Sequence, residues 1–201
     1  MEKKPVNLSA ERNKGPIIEI IENLNPEPKK ILELASGTGQ HGHYYCKRQP
    51  HVLWQLSDYQ DEALAASQIW RDDLSQDNLL APKKIDCLDH QTWPQKDSYD
   101  LLVNINMIHI SPWETTQGLF RCAAHCLKPR GRIYLYGPYF HKDREASSGN
   151  IEFDQWLRSK DSTWGIRFFE DVCDLAEANG FALQSSHPMP ANNTSLIFEG
   201  K

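Results

Sequence analysis

The stretch Ile31–Gly42, "ILELASGTGQHG", decides the fold. An apolar run suited to a buried strand breaks into the spacing Gly37, Gly39, Gly42 and runs on toward a helical pattern at about Gln40–Arg48. A glycine-rich turn between a parallel strand and a helix lets the backbone approach a ligand and offers it the free N–H groups of the helix N-terminus. The spacing alone is weak evidence for a nucleotide. Its neighbours in the chain give it weight.

Outward from this turn, apolar strand-like runs alternate with helical patterns, the signature of a parallel sheet with crossover helices. Pro16 is suited to the first position of a helix over "PIIEIIENL". "VLWQLS" is the second strand, "KKIDC" the third, and "YDLLVNIN" a fourth whose continuous apolar centre suits burial on both faces. The spacing predicts a helix over "SPWETTQGLFRCAAHCL", with Ser111 as N-cap and Pro112 at its first position, stopping at "KPRG". "RIYLYG" is the fifth strand. "RFFEDVCDLAEANG" is a helix closed by Gly180, and "FALQSSH" and "TSLIFEG" are strands too closely joined for a crossover, hence antiparallel. The expectation is an α/β fold in one domain over residues 1–201: a seven-stranded, mostly parallel sheet with a C-terminal antiparallel hairpin. Residues 141–162 are polar and irregular, with a short helix at "IEFDQWLR", and residues 138–165 form a candidate lid or substrate wall after the fifth strand.

The 201 residues carry a formal net charge of −5, which argues against nucleic acid or an anionic membrane as main partner. No apolar stretch is long enough to span a bilayer, and "MEKKPVNLSAERNK" has no apolar signal segment. The five cysteines, without a C-x-x-C pair, suit reduced, mostly buried thiols and a cytoplasmic protein. His41, His43 and Cys46, or Cys122, His125 and Cys126, offer no standard zinc spacing, so no metal is expected.

Ligands of such sheets bind outside the carboxyl ends of the strands, where strand order reverses. Asp58, 19 residues after Gly39, ends the second strand, where a carboxylate can take two ribose hydroxyls. A dinucleotide and S-adenosylmethionine (SAM) fit equally to this point. Glu33, three residues before Ser36, would balance a positively charged ligand group and repel a pyrophosphate. Asp89, after the third strand, could accept from an adenine amine. These acids and the final hairpin favour SAM over a nicotinamide cofactor.

"LELASGTGQ", "SD" at 57–58 and "LD" at 88–89, with "DLLVNINMIHIS" and "CLKPRGRIYLYGP", resemble the class I SAM-dependent methyltransferases. "ERNK" (11–14), "ASGTGQH" (35–41), "NMIHISPW" (106–113), "LYGP" (135–138), "WGIR" (164–167) and "MPANN" (189–193) resemble more closely one family of such proteins with no assigned function, relatives of animal methyltransferase-like protein 26. The resemblance implies a Rossmann-like methyltransferase fold. It puts Glu33 near the methionine amino group, Ser36, Gly37 and Gly39 along the methionine and ribose, Asp58 on the ribose, Asp89 at the adenine and Asn104 facing the cofactor. Ala35 stands where most class I enzymes have glycine.

The acceptor is expected to be a small molecule, since "NINM" at 104–107 lacks the N-P-P-Y signature of base or glutamine methylation. His109 is a candidate catalytic base, or else a histidine that holds its own loop. Tyr139, with Tyr136, is a candidate for substrate contact or for core packing. Asn192 and Asn193 sit in the hairpin turn. Arg12 and Asn13 could close over the cofactor carboxylate. A protein that binds SAM without transferring its methyl group is the alternative.

Overall fold

Tyr99–Ile105 (β4) lies in the middle of the sheet, its central residues buried, because helices cover both faces. The computed structural model describes residues 4–201; the first three residues of the N-terminal stretch discussed above lie outside it. The other strands are β1 (Lys30–Leu34), β2 (Leu53–Asp58), β3 (Leu79–Lys84), β5 (Leu127–Phe140), β6 (Arg167–Phe168), β7 (Phe181–Met189) and β8 (Asn193–Gly200). They run in the order β3-β2-β1-β4-β5-β8-β7, and the two-residue β6 pairs with β5 off this path. β1 to β5 are mutually parallel, while β8 is antiparallel to both β5 and β7. The order reverses between β1 and β4, so the switch point falls at the end of β1, where the glycine turn begins.

The helices are α1 (Leu8–Glu22), α2 (Gln40–Arg48), α3 (Asp61–Asp72), α4 (Trp113–Cys126), α5 (Ser148–Lys160) and α6 (Phe169–Ala178). One apolar layer joins Ile17, Ile18 and Ile21 of α1 and Tyr45 of α2 to Trp54, Leu56 and Val103. The other joins Leu119, Phe120 and Ala123 of α4 and Val172 of α6 to Leu102, Ile133 and Leu135. Alternation along β4 and β5 feeds the two layers in turn.

Several expectations are corrected. Pro16 is internal to α1, which starts at Leu8 under an Asn7 cap that accepts from Ser9 N and Ala10 N. The extra turns are held from outside: Gln40 Oε1 accepts from Asn7 N at 2.6 Å and Gln40 Nε2 donates to Glu11 at 2.5 Å. β3 begins at Leu79, ahead of Pro82, because an edge strand tolerates a residue without an N–H. α4 starts at Trp113 with Pro112 as its cap residue, and Ser111 Oγ instead donates to Met107 O at 2.8 Å. "KPRG" does not separate α4 from β5 but bulges within the strand: Tyr99 pairs with Leu127 and Leu101 with Arg132, and Arg130 takes φ +60°. Among the described residues the sheet has eight strands rather than seven, through β6, and α5 is longer than the short helix expected.

Candidate functional site

The turn after β1 leaves the strand in left-handed steps. Ala35 has φ +57°, Gly37 +55° and Gly39 +80°. Gly39 stands at the start of α2 without a side-chain cap, so the first N–H groups of that helix carry no side-chain acceptor. A Cβ on Gly37 would meet nothing within 4 Å: the loop faces open space there. Gly42 has the opposite reason to be glycine, since a Cβ there would lie 2.6 Å from Trp54 Nε1 and hold α2 off the sheet.

Asp58 at the end of β2 is tied to this loop. Its Oδ2 accepts from Gly37 N at 3.1 Å and its Oδ1 from Gln60 N at 3.1 Å. Burial raises its carboxyl above the usual carboxylate range, partly offset by these backbone donors. Ser36 Oγ accepts from Ser57 N at 3.0 Å, and Asn104 Nδ2 donates to Leu34 O at 2.9 Å. Ser36, Gly37, Gly39, Asp58 and Asn104 are thereby brought together at the carboxyl ends of β1, β2 and β4.

Glu33 is arranged differently. It is 1% exposed, and its carboxylate accepts from Trp54 Nε1 at 3.0 Å while His41 Nδ1 lies 3.5 Å away. His41 Nε2 lies 2.9 Å from Asn13 Oδ1, and Asn13 also meets the Tyr136 hydroxyl. Glu33 thus heads a buried polar chain behind the loop that fastens α1 to the sheet. Arg12 is exposed, its guanidinium donating to Ser9 Oγ at 3.1 Å. Asp89 is also exposed, and its Oδ1 caps the turn His90–Thr92 through Gln91 N at 3.0 Å. Because β3 ends at Lys84, Asp86 lies closer to the strand end than Asp89. In the sequence Asp86 falls inside the expected strand "KKIDC", which hides it as a strand-end acid.

His109 is 1% exposed. Its Nδ1 accepts from Arg167 N at 3.4 Å and its carbonyl accepts from Gly165 N at 3.0 Å, whereas Nε2 has no partner among the described residues. The ring lies against Gly137, where a Cβ would come within 2.3 Å of Nε2, and meets Tyr139 edge-on at 5.2 Å. Burial, then the Arg167 cation, pushes the imidazole down to about 3. The Tyr139 hydroxyl is buried without a partner among the described residues, and burial pushes its pKa upward. Asn192 is exposed at the hairpin tip, and Asn193 Nδ2 donates to Pro190 O at 3.0 Å. Asn193 pairs with Pro138, so the tip stands beside the end of β5.

Two features lie outside this set. His141, Asp143 and Glu170 bring ligand-type atoms within 4.8 Å of one another, but Arg144 Nη2 already sits 3.0 Å from His141 Nδ1. A cavity of about 530 Å³ lies at the far end of the sheet, among Leu24, Arg132, Ile197 and His187.

Parallel strands with a C-terminal antiparallel pair, and a glycine turn at the switch point, define a Rossmann-like methyltransferase fold. The family described as "Protein of unknown function (DUF938)" matches residues 4–200, and the chain belongs to it. Among solved structures it is similar to an O-methyltransferase family protein from Burkholderia thailandensis (TM-score 0.82, 15% identity, 96% of this chain and 57% of that one). It is also similar to a putative O-methyltransferase from Nostoc punctiforme (TM-score 0.78, 18% identity, 94% and 56%). A third is human N-acetylserotonin methyltransferase in complex with SAM (TM-score 0.75, 15% identity, 96% and 52%). At these identities the likeness is one of fold, and the chain spans about half the length of those proteins. Among the described residues no helix is long and apolar enough to cross a membrane.

Proposed function

We propose that this chain is a SAM-dependent methyltransferase acting on a small-molecule acceptor, and that residues 1–201 form one such domain. The observation that carries the proposal is the bond from Gly37 N to Asp58 Oδ2 at 3.1 Å, which joins the open glycine loop beside the switch point to the acid ending the neighbouring β2. The fold neighbours, one of them complexed with SAM, support it. The kinship with animal methyltransferase-like protein 26 belongs to the same reading.

SAM supplies an electrophilic methyl group on a sulfonium; the protein supplies binding and alignment. Asp58 has acceptor capacity beyond its two backbone donors, and ribose hydroxyls would use it while favouring the ionised form of a carboxyl that burial disfavours. Gly37 and Gly39 give the close backbone approach, Ser36 holds β1 to β2 beneath it, and Asn104 holds β1 to β4. Asp89 and Asp86 are the candidates for the adenine amine. Glu33, with Trp54 and His41 on its carboxylate, contributes its charge from behind the loop rather than by direct contact. Arg12 and Asn13 keep the role of closing on the cofactor carboxylate from α1; Arg12 is free to turn from Ser9, whereas Asn13 would have to leave His41.

The catalytic roles weighed for His109 and Tyr139 receive less support. A base whose proton affinity is pushed down to about 3 takes a proton poorly near neutral pH, and both side chains are buried. The geometry supports loop-holding for His109 and core packing for Tyr139. Methyl transfer then rests on alignment, with the acceptor's own acidity or water handling its proton. The burial of these two side chains also favours the second reading, a SAM-binding protein without transfer activity.

Calorimetric titration with SAM, S-adenosylhomocysteine and NAD tests the proposal. The first two should bind and NAD should not, and Asp58→Ala should weaken SAM by about tenfold or more with the fold intact. Turnover of SAM in an acceptor screen separates transfer from binding alone. Binding of NAD without SAM would overturn both readings.

A further inference from the structure

"WGIR" (164–167) has entered so far only as a neighbour of His109, yet its arginine reaches both the loop after β4 and the start of α4. Arg167 is half-buried, between α5 and α6. Its Nε donates to Ile108 O at 2.8 Å, and its Nη2 donates to Ser111 O at 2.5 Å and to Thr163 O at 3.2 Å. The guanidinium carbon stands 5.7 Å from the centroid of the Trp113 ring. Its own backbone N–H reaches His109 Nδ1, and two residues earlier Gly165 N donates to His109 O. Gly165 has φ +155° and no room for a Cβ, which would lie 2.7 Å from Arg158 Nη2 and 2.8 Å from Asp154 Oδ1. From α5, Asp154 Oδ1 accepts from Ile166 N at 2.7 Å.

We propose that Arg167 is a positioning residue for methyl transfer: its fork clamps the segment after β5 onto the loop Asn106–Ser111, so that this segment is a fixed wall of the acceptor side rather than a lid that swings. The purpose given to the wall rests on the methyltransferase reading; the clamp itself does not. The chemistry selects arginine. Three carbonyls from two segments are met by one planar cation with several fixed donors, and a lysine ammonium has neither the spread nor the ring-stacking face. Removing the cation would leave the carbonyls of Ile108 and Ser111 without the donor they now have at the mouth of the site. The two-residue β6, pairing Tyr139 with Arg167 and Phe140 with Phe168, carries the clamp back onto β5. His109 is then part of the same fastening, acceptor to two backbone N–H groups of the clamped segment.

Amide hydrogen exchange on the full chain tests this, with Arg167→Lys and Arg167→Ala beside wild type. Both variants should exchange about tenfold faster or more over 106–111 and 163–168, the equivalent of one lost charge-assisted hydrogen bond. Residues 30–58 should keep their protection, and S-adenosylhomocysteine affinity should stay within about threefold of wild type. Millimolar guanidinium, far below denaturing concentrations, should restore protection in Arg167→Ala and not in Arg167→Lys. Rescue of this kind would not follow a general loss of stability. Unchanged exchange in the two segments, or uniform loosening of the whole chain, would overturn the clamp. A loss of cofactor affinity as large as the loss of protection would overturn the positioning role by putting Arg167 in the cofactor site. Wild type failing to bind S-adenosylhomocysteine would count against the methyltransferase reading, and the exchange data would still decide the clamp.

Discussion

Acid should unfold this protein partly through His109. The imidazole has a folded value of about 3 against an ordinary 6.5. The cause is burial first and the Arg167 cation second, with the Gly165 hydrogen bond opposing. The unfolded chain therefore binds the proton more readily than the folded one. The stability that the neutral ring contributes is complete above about pH 6.5 and is lost as pH falls toward 3. At pH 5 the loss is the free energy of protonating an ordinary histidine 1.5 pH units below its pKa, about 2 kcal/mol. Other carboxylates and histidines titrate over the same interval, so the measurement is a double difference. Urea unfolding at pH 7.5 and pH 5.0 is compared for wild type and His109→Asn, whose amide oxygen can still accept from Arg167 N. The wild-type protein should lose about 2 kcal/mol more than the variant on acidification. Equal losses would mean that the ring titrates as if in water, and the buried seat against Gly137 and Tyr139 would be refuted.

Two further outcomes follow from backbone geometry and packing. Ala35→Gly should stabilise the protein by about 0.5–1 kcal/mol, because a left-handed alanine costs roughly 1–2 kcal/mol and the added chain freedom returns only part of that; a thermal melt lowered rather than raised would show that the turn after β1 prefers alanine. Gly137→Ala should destabilise by about 1–3 kcal/mol by driving a methyl into His109 Nε2, and a smaller cost of the same change in a His109→Ala background, read by urea unfolding, would identify the ring as the obstacle.

The order of elements was legible in the sequence because period and punctuation are local. "YDLLVNIN" has the continuous apolar core of a strand covered on both faces, and the short link before "TSLIFEG" forces the antiparallel pair. The glycine turn and Asp58 were legible for the same reason: a strand end, a turn and an acid at fixed spacing have few alternatives. Proline gave a wrong boundary at Pro16, where a cost within the helix is offset by Gln40, 24 residues further on; the third strand starts earlier than expected, running through Pro82 because an edge strand spares the missing donor. The roles of His109 and Glu33 were not legible, since each depends on partners brought by other elements: Gly137 and Arg167 for one, Trp54 and His41 for the other. Arg167 stood in a stretch marked only by resemblance, and nothing near it in sequence shows that three carbonyls await it. Asp86 was hidden by a strand placed a few residues too late.

The position of β8 has a consequence for how the chain is made. Residues 193–200 follow every other strand in chain order, yet they sit between β5 and β7, with Ser195 Oγ 2.6 Å from the buried Tyr134 hydroxyl. During synthesis β1, β2, β3, β4 and β5 can assemble while the outer edge of β5 has no neighbour. That edge carries Ile133, Tyr134, Leu135 and Tyr136, an apolar, β-prone run open to pairing with another nascent chain. The glycine loop and Asp58 can thus form on the ribosome before the sheet that carries them is safe from aggregation. A ribosome that stalls before residue 193 would release a half-sheet with its glycine loop in place and its sticky edge exposed.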